Sequence, residues 1–249
     1  MIYKVIRAFF VLSTVFVSTN AEYLNAIDVS ESLFTPQINC IKSNGYSAIF
    51  TQVYAGSDGV DETGIENIIN AYKGDLGVEV YILPYPKGLP SDVQFDDTYK
   101  RLKSANIYVR TIWLKVTNQQ DWIYLTQENI NFIQSMIIRA RNNGITLGIY
   151  TNWYDWYQIT GNTTAFQQFN LPLWYWDAYG YGLGAESLPN FNDFRGFGSW
   201  KFATVKEYGL KEFICSSTLS KIVYSKSSSF MKFKGDKNMT QPVAGSAIF

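Results

Sequence analysis

From Leu24 onward, short apolar runs alternate with amphipathic ones, and the alternation persists until about residue 155. "LNAIDVSE", "YSAIFTQVYAG", "VEVYILPYP", "YVRTIWLKV" and "ITLGIYTN" read as strands. Between them "TPQINCIKSNG", "DETGIENIINAYKG", "QFDDTYKRLKSAN" and "TQENINFIQSMIIRARNNG" read as helices, with Gly45, Gly74 and Gly144 as stops. The last helix is the clearest. Thr126 is placed to cap it, and Ile130, Ile133, Ile137 and Ile138 form an apolar stripe. Strands separated by helices pair in parallel, and with nothing marking an open edge a closed barrel is favoured over a doubly wound sheet. Past residue 155 the rhythm breaks: "FNLPLWYWDAYG", "WKFATVKEYG" and "KEFICSSTLSKIVYS" read as strands with little helix between them. The expected fold is an α/β, irregular TIM-like barrel of about five β/α units followed by three strands.

The flanks read differently. "MIYKVIRAFFVLSTVFVSTNAEY" places Lys4 and Arg7 ahead of an apolar run too short to span a bilayer, with the small Thr19 and Ala21 after it. Residues 1–21 are therefore expected to be a secretory signal peptide, residues 22–224 the barrel domain, and the Ser- and Lys-rich residues 225–249 a loose tail. The mature chain is expected to be extracellular, monomeric and free of the membrane. Two sequons, at Asn162 and Asn238, are candidate glycosylation sites. In an oxidising compartment Cys40 and Cys215 are either a bridge or two unpaired core thiols. The first helix and last strand are neighbours in a closed barrel, and that favours the bridge.

Composition excludes several chemistries. There is no histidine, which argues against zinc sites and Ser-His-Asp triads, and no metal or cofactor is expected. Lys plus Arg equals Asp plus Glu at 21 each, so a nucleic-acid partner is not expected. Asp58 and Asp61 lack the spacing of a Ca²⁺ loop and read as a solvated turn.

In such a barrel, binding and catalytic groups sit where strands end. Those ends hold Asp28, Gln52, Tyr54, Tyr85, Lys115, Thr117, Asn152 and Asp177. Lys115 and Thr117 share one strand face by alternation, at a position where an interior strand should be apolar.

"AIDVS", "YSAIFTQVY", "VEVYILPYP", "TIWLKV", "GITLGIYTNWYDWYQITG", "LPLWYWDAYG" and the "VKEYG…CSS" region, in this order, resemble glycoside hydrolase family 25, the lysozyme-type muramidases, and its animal branch in particular. The likeness covers roughly residues 24–224. It implies an irregular (β/α)-barrel that cleaves the β-1,4 link between N-acetylmuramic acid and N-acetylglucosamine in bacterial peptidoglycan. It also implies that Asp28 matches the family's first-strand aspartate. The family's Asp-x-Glu pair falls on Lys115 and Thr117, and Ser220 stands near a further missing aspartate.

Threonine cannot deliver a proton with useful acidity, and lysine reverses the charge beside a developing oxocarbenium ion. Asp28 is a surviving groove carboxylate or a strand-end cap paired with Lys115. Tyr150, Trp153, Trp174 and Trp176 are a saccharide platform or core filling, and Asp177 is a sugar contact or a substitute acid. Three functions follow: an impaired lysozyme-like protein binding peptidoglycan or a related glycan in defence or digestion, a weakly active muramidase, or a secreted signalling or scaffold barrel.

Overall fold

The apolar runs become strands in the computed structural model, which describes residues 23–225, 240–245 and 247. In chain order the elements are β1 (Tyr23–Val29), α1 (Thr35–Ser43), β2 (Tyr46–Ala55), α2 (Glu62–Lys73), β3 (Gly77–Leu83) and α3 (Ser91–Ser104). There follow β4 (Tyr108–Val109), β5 (Thr111–Lys115), α4 (Thr126–Asn142), β6 (Thr146–Thr151) and α5 (Trp153–Thr160). The chain continues with β7 (Leu173–Trp176), β8 (Val205–Ile214), β9 (Ser217–Ser225) and β10 (Val243–Ala244). Strands β1, β2, β3, β5, β6, β7, β8 and β9 close a barrel in that order. Neighbours from β1 to β8 run parallel, whereas β9 lies antiparallel to both β8 and β1. Five strand–helix units and three further strands are what the periodicity implied.

Local chemistry explains the departures. Thr126 is the first helical residue of α4 and caps nothing; Leu125 holds the cap position without a side-chain bond. The buried face of α4 uses Phe132, Ile133, Met136, Ile137 and Ala140, while Ile138 is exposed. "KEFICSSTLSKIVYS" is not one strand. Cys215 and Ser216 adopt φ of 54° and 63°, a two-residue hairpin turn between β8 and β9. Cys215 thus lies on that turn rather than in the last strand, and from there it bridges to Cys40 of α1 with Cα atoms 5.7 Å apart.

Two apolar layers hold the barrel. Between sheet and helices lie the aliphatic side chains of the outer layer, such as Ile27, Ile49, Val80, Leu114 and Ile149. Inside the barrel sit Phe50, Tyr81, Trp113, Tyr150, Trp174, Ile222 and Tyr224. Gly148 makes room for one of these rings, because a Cβ there would stand 2.3 Å from the Trp113 indole. Glu79 is buried among them, accepting from Trp113 Nε1 at 2.8 Å and from the Ala247 amide at 2.9 Å.

That second bond corrects the reading of a loose tail for residues 240–245 and 247, while residues 226–239 lie outside the described residues. Val243–Ala244 pair in parallel with β4, the Gly245 amide donates to Val78 O at 2.9 Å, and Ala247 is buried. Residues 1–21 and Asn238 lie outside the described residues. Among the described residues no helix is long and apolar enough to cross a membrane.

The bridge closes a loop spanning 175 residues. Loop-closure entropy in the unfolded chain makes it worth about 2–5 kcal/mol. Cys40→Ser should lower the urea-derived unfolding free energy by that amount, and alkylation of the intact protein should label no thiol. Two labelled thiols without reduction would refute the bridge.

Candidate functional site

The C-terminal strand ends surround a groove of about 900 Å³ lined by Asp28, Gln52, Lys115, Thr117, Asp155, Trp176, Glu207 and Ser220, among others. Lys115, the last residue of β5, lines it. Its Nζ donates to Asp28 Oδ2 at 2.5 Å, with the two side chains 12% and 8% exposed. The same ammonium stands 3.9 Å from the Tyr81 ring centroid, 4.5 Å from Tyr150 and 5.0 Å from Trp174. A buried ammonium needs a counter-charge and polarisable neighbours, and this one has a carboxylate and three ring faces.

Asp28 also has an acidic neighbour. Glu207 of β8 is buried, and its carboxyl is pushed up to about 8. Burial is the main cause and the charge of Asp28 adds to it; Lys115 and hydrogen bonds with Ser220 and Tyr150 oppose it. Glu207 therefore keeps its proton at neutral pH. Ser220 lies directly across from Asp28 in the β1–β9 register, so a serine faces the first-strand aspartate where the resemblance placed a missing carboxylate.

Thr117 points into the same groove, as alternation required. Its hydroxyl donates to Asp155 Oδ2 at 2.5 Å, and Trp176 Nε1 donates to that oxygen at 3.1 Å. Asp155 sits in the first turn of α5, where the Asn152 side chain caps the helix by accepting from the Asp155 amide at 2.8 Å. Burial raises the Asp155 carboxyl above its usual range, while bonds from Thr117, Trp176 and the Asn118 amide pull it back down. A carboxyl group thus hangs from the hydroxyl at position 117.

Of the residues singled out in the sequence, Asp28, Gln52, Lys115, Thr117, Tyr150, Trp176 and Ser220 meet in this groove. Trp174 does not belong to a ligand platform. It is 0% exposed, with Phe50 and Tyr150 ring centroids each 4.6 Å away, because the interior of a closed barrel must be filled by side chains. Trp153, Asn152 and Asp177 line a separate pocket of about 610 Å³ that shares the Trp176 wall. Tyr54 is core, and neither it nor Tyr85 lines the groove. Asn162 is exposed. Asp61 caps α2 through the Thr63 amide, a helix-start role. Among the described residues no group of three or more acidic or sulfur side chains is placed to hold a metal ion.

Asp155 and Glu207 escaped the sequence reading. Asp155 had a signal, since it follows the strand-end Asn152 by three residues, the geometry of a capped first turn. Glu207, in "VKEYG", had none beyond an acidic residue in an apolar strand.

The fold and the site define a closed eight-stranded α/β barrel with carboxyl groups lining a groove at its strand ends. The family model described as lysozyme-like protein 1 matches residues 19–208. Over 211 residues the chain is 40% identical to "Lysozyme-like protein 1" of Caenorhabditis elegans, covering 84% of this chain and 70% of that one. Over 188 residues it is 29% identical to "Probable GH family 25 lysozyme 2" of Dictyostelium discoideum, covering 74% and 83%. Its fold matches a family GH25 lysozyme from Aspergillus fumigatus with a TM-score of 0.64 over 82% of this chain and 94% of that one, at 14% identity. The chain belongs to the lysozyme-like proteins of glycoside hydrolase family 25.

Glu207 gives the site a pH signature. Its folded pKa of about 8 exceeds the ordinary value of 4.5, so the native state binds its proton more tightly than the unfolded chain does. Stability from this group is full below the unfolded value and is lost as pH rises toward the folded one. Glu207→Gln should flatten the fall in urea midpoint across that window. A slope equal to that of the unaltered protein would show that Glu207 does not hold the proton.

Proposed function

We propose that this is a secreted lysozyme-like protein that recognises bacterial peptidoglycan, or a related β-1,4-linked glycan, in its barrel-mouth groove and is impaired in cleaving it. The observation that carries this reading is the Lys115–Asp28 ion pair. Glycoside hydrolysis needs one carboxyl group to protonate the leaving oxygen and another to meet positive charge at the anomeric carbon. Here the first-strand aspartate is neutralised by an ammonium, and the neighbouring position offers a hydroxyl. Loss of general acid catalysis alone removes ~10²–10⁴-fold in rate. The basic and apolar start of the chain supports export, and with it a role in defence or digestion.

A second reading, a weak muramidase, rests on Asp155. Its carboxyl lies in the groove, holds a raised pKa through burial, and reaches position 117 through one hydrogen bond. Protonated, it has the acidity that threonine lacks.

Co-sedimentation with insoluble peptidoglycan, and mass spectrometry of the soluble fragments, separate these readings. The expected result is that the protein sediments with the polymer and releases no fragments above a heat-killed control. Sustained release that Asp28→Asn or Asp155→Asn abolishes would overturn the impaired reading and establish the second.

A further inference from the structure

The sequon Asn162-Thr163-Thr164 falls on the turn that follows α5. Asn162 is exposed and adopts left-handed backbone with φ of 60°, directly after Gly161 at φ of 64°. Asparagine tolerates that conformation better than most side chains. Its side-chain amide has a fixed orientation. The Gly198 amide donates to Asn162 Oδ1 at 2.7 Å, and a backbone N–H needs an acceptor, so the oxygen must face Gly198. Nδ2 is then the outward end of the amide, and among the described residues it makes no hydrogen bond. Gly198 is itself held close. A Cβ there would stand 2.8 Å from Trp156 Nε1, which donates to Thr163 O at 3.2 Å.

The bond to Gly198 explains an acceptor at position 162 but not a hydroxyl at position 164. Thr164 is exposed, and its carbonyl accepts from the Gln167 amide at 3.0 Å. Among the described residues its hydroxyl has no hydrogen-bond partner. An exposed turn that presents an unengaged amide nitrogen, a residue other than proline and then a threonine is what asparagine glycosylation requires. There is also room for a bulky group. Asn162, Gly196 and Phe197 line both the pocket of about 610 Å³ beyond Trp176 and another of about 590 Å³ that extends to Trp200. A group added at Nδ2 therefore stands at a rim that the two pockets share. Arg195 and Lys201 are exposed on either side of that rim.

We propose that Asn162 is glycosylated at Nδ2 and that the attached oligosaccharide covers residues 194–201. This rests on export of the chain. The transfer joins Nδ2 to the anomeric carbon of an oligosaccharide carried on a lipid pyrophosphate. The anomeric C–O bond breaks, the lipid pyrophosphate leaves with its electron pair, and one amide proton is released. Oδ1 remains an acceptor in the product, so the Gly198 bond survives the modification.

The test expresses the full chain in a eukaryotic cell line, in an Asn238→Gln background that removes the other sequon. Peptide:N-glycosidase treatment and peptide mass mapping of the secreted protein should show loss of an oligosaccharide and conversion of Asn162 to aspartate. Thr164→Ala should carry no oligosaccharide. Aspartate can still accept from Gly198, and an unchanged melting temperature would show that the deglycosylated protein is folded. Trypsin should then cut after Arg195 and Lys201 several-fold faster in the deglycosylated protein than in the glycosylated one. Secreted protein with an unmodified Asn162 would overturn the proposal. Equal cutting rates in the two folded forms would overturn the covering of residues 194–201. A chain recovered only from the cytosol would overturn export, and the modification with it.

Discussion

Burying an ammonium at the mouth of a barrel costs several kcal/mol unless charge and polarisable surface compensate it. Lys115 meets that demand with Asp28 on one side and the rings of Tyr81, Tyr150 and Trp174 around it. Much of the mouth is arranged about this contact. Trp174 is packed into the core beneath it, Tyr150 spans from the ammonium toward Glu207, and Asp28 pairs with the ammonium beside the Glu207 carboxyl. Removing either partner alone would leave an uncompensated buried charge, the most damaging change available at such a site.

The other acidic groups are distributed to suit that pair. Glu207 stays neutral because burial and Asp28 both disfavour a second negative charge, and Lys115 is already satisfied. Asp155 stands farther along the groove, where hydroxyl, indole and backbone donors oppose the effect of burial. One ion pair, one neutral acid and one hydrogen-bonded carboxyl line the mouth, and Asp28 Oδ1 and Glu207 Oε2 are buried there without a hydrogen-bond partner.

Much of the architecture was legible because it rests on period and punctuation. Strand runs, glycine stops and helix stripes gave the five β/α units, and alternation put Lys115 and Thr117 on one face. Closure by an antiparallel β9 was not legible, since "FICSST" carries no Asn-Gly or Asp-Gly signal for the left-handed turn at Cys215 and Ser216. Trp174 misled because alternation tells which residues share a face but not whether that face is the filled interior or the open mouth. The docking of Val243–Ala244 on β4 was hidden in a stretch without periodicity, where a two-residue pairing, the Gly245 amide on Val78 O and the Ala247 amide on a buried Glu79 hold the segment.

The most direct test restores what the barrel mouth lacks. In the double variant Lys115→Asp with Thr117→Glu, the cation is removed from Asp28 and a carboxyl is placed beside Asp155, whose like charge would keep it protonated toward neutral pH. Soluble fragments released from defined peptidoglycan are then quantified by mass spectrometry, with circular dichroism as the check on folding. The expected result is measurable release by the folded double variant, less by either single variant, and none by the unaltered protein. A folded double variant that stays inert, or an unaltered protein that cleaves as fast, would contradict the assignment of the defect to positions 115 and 117.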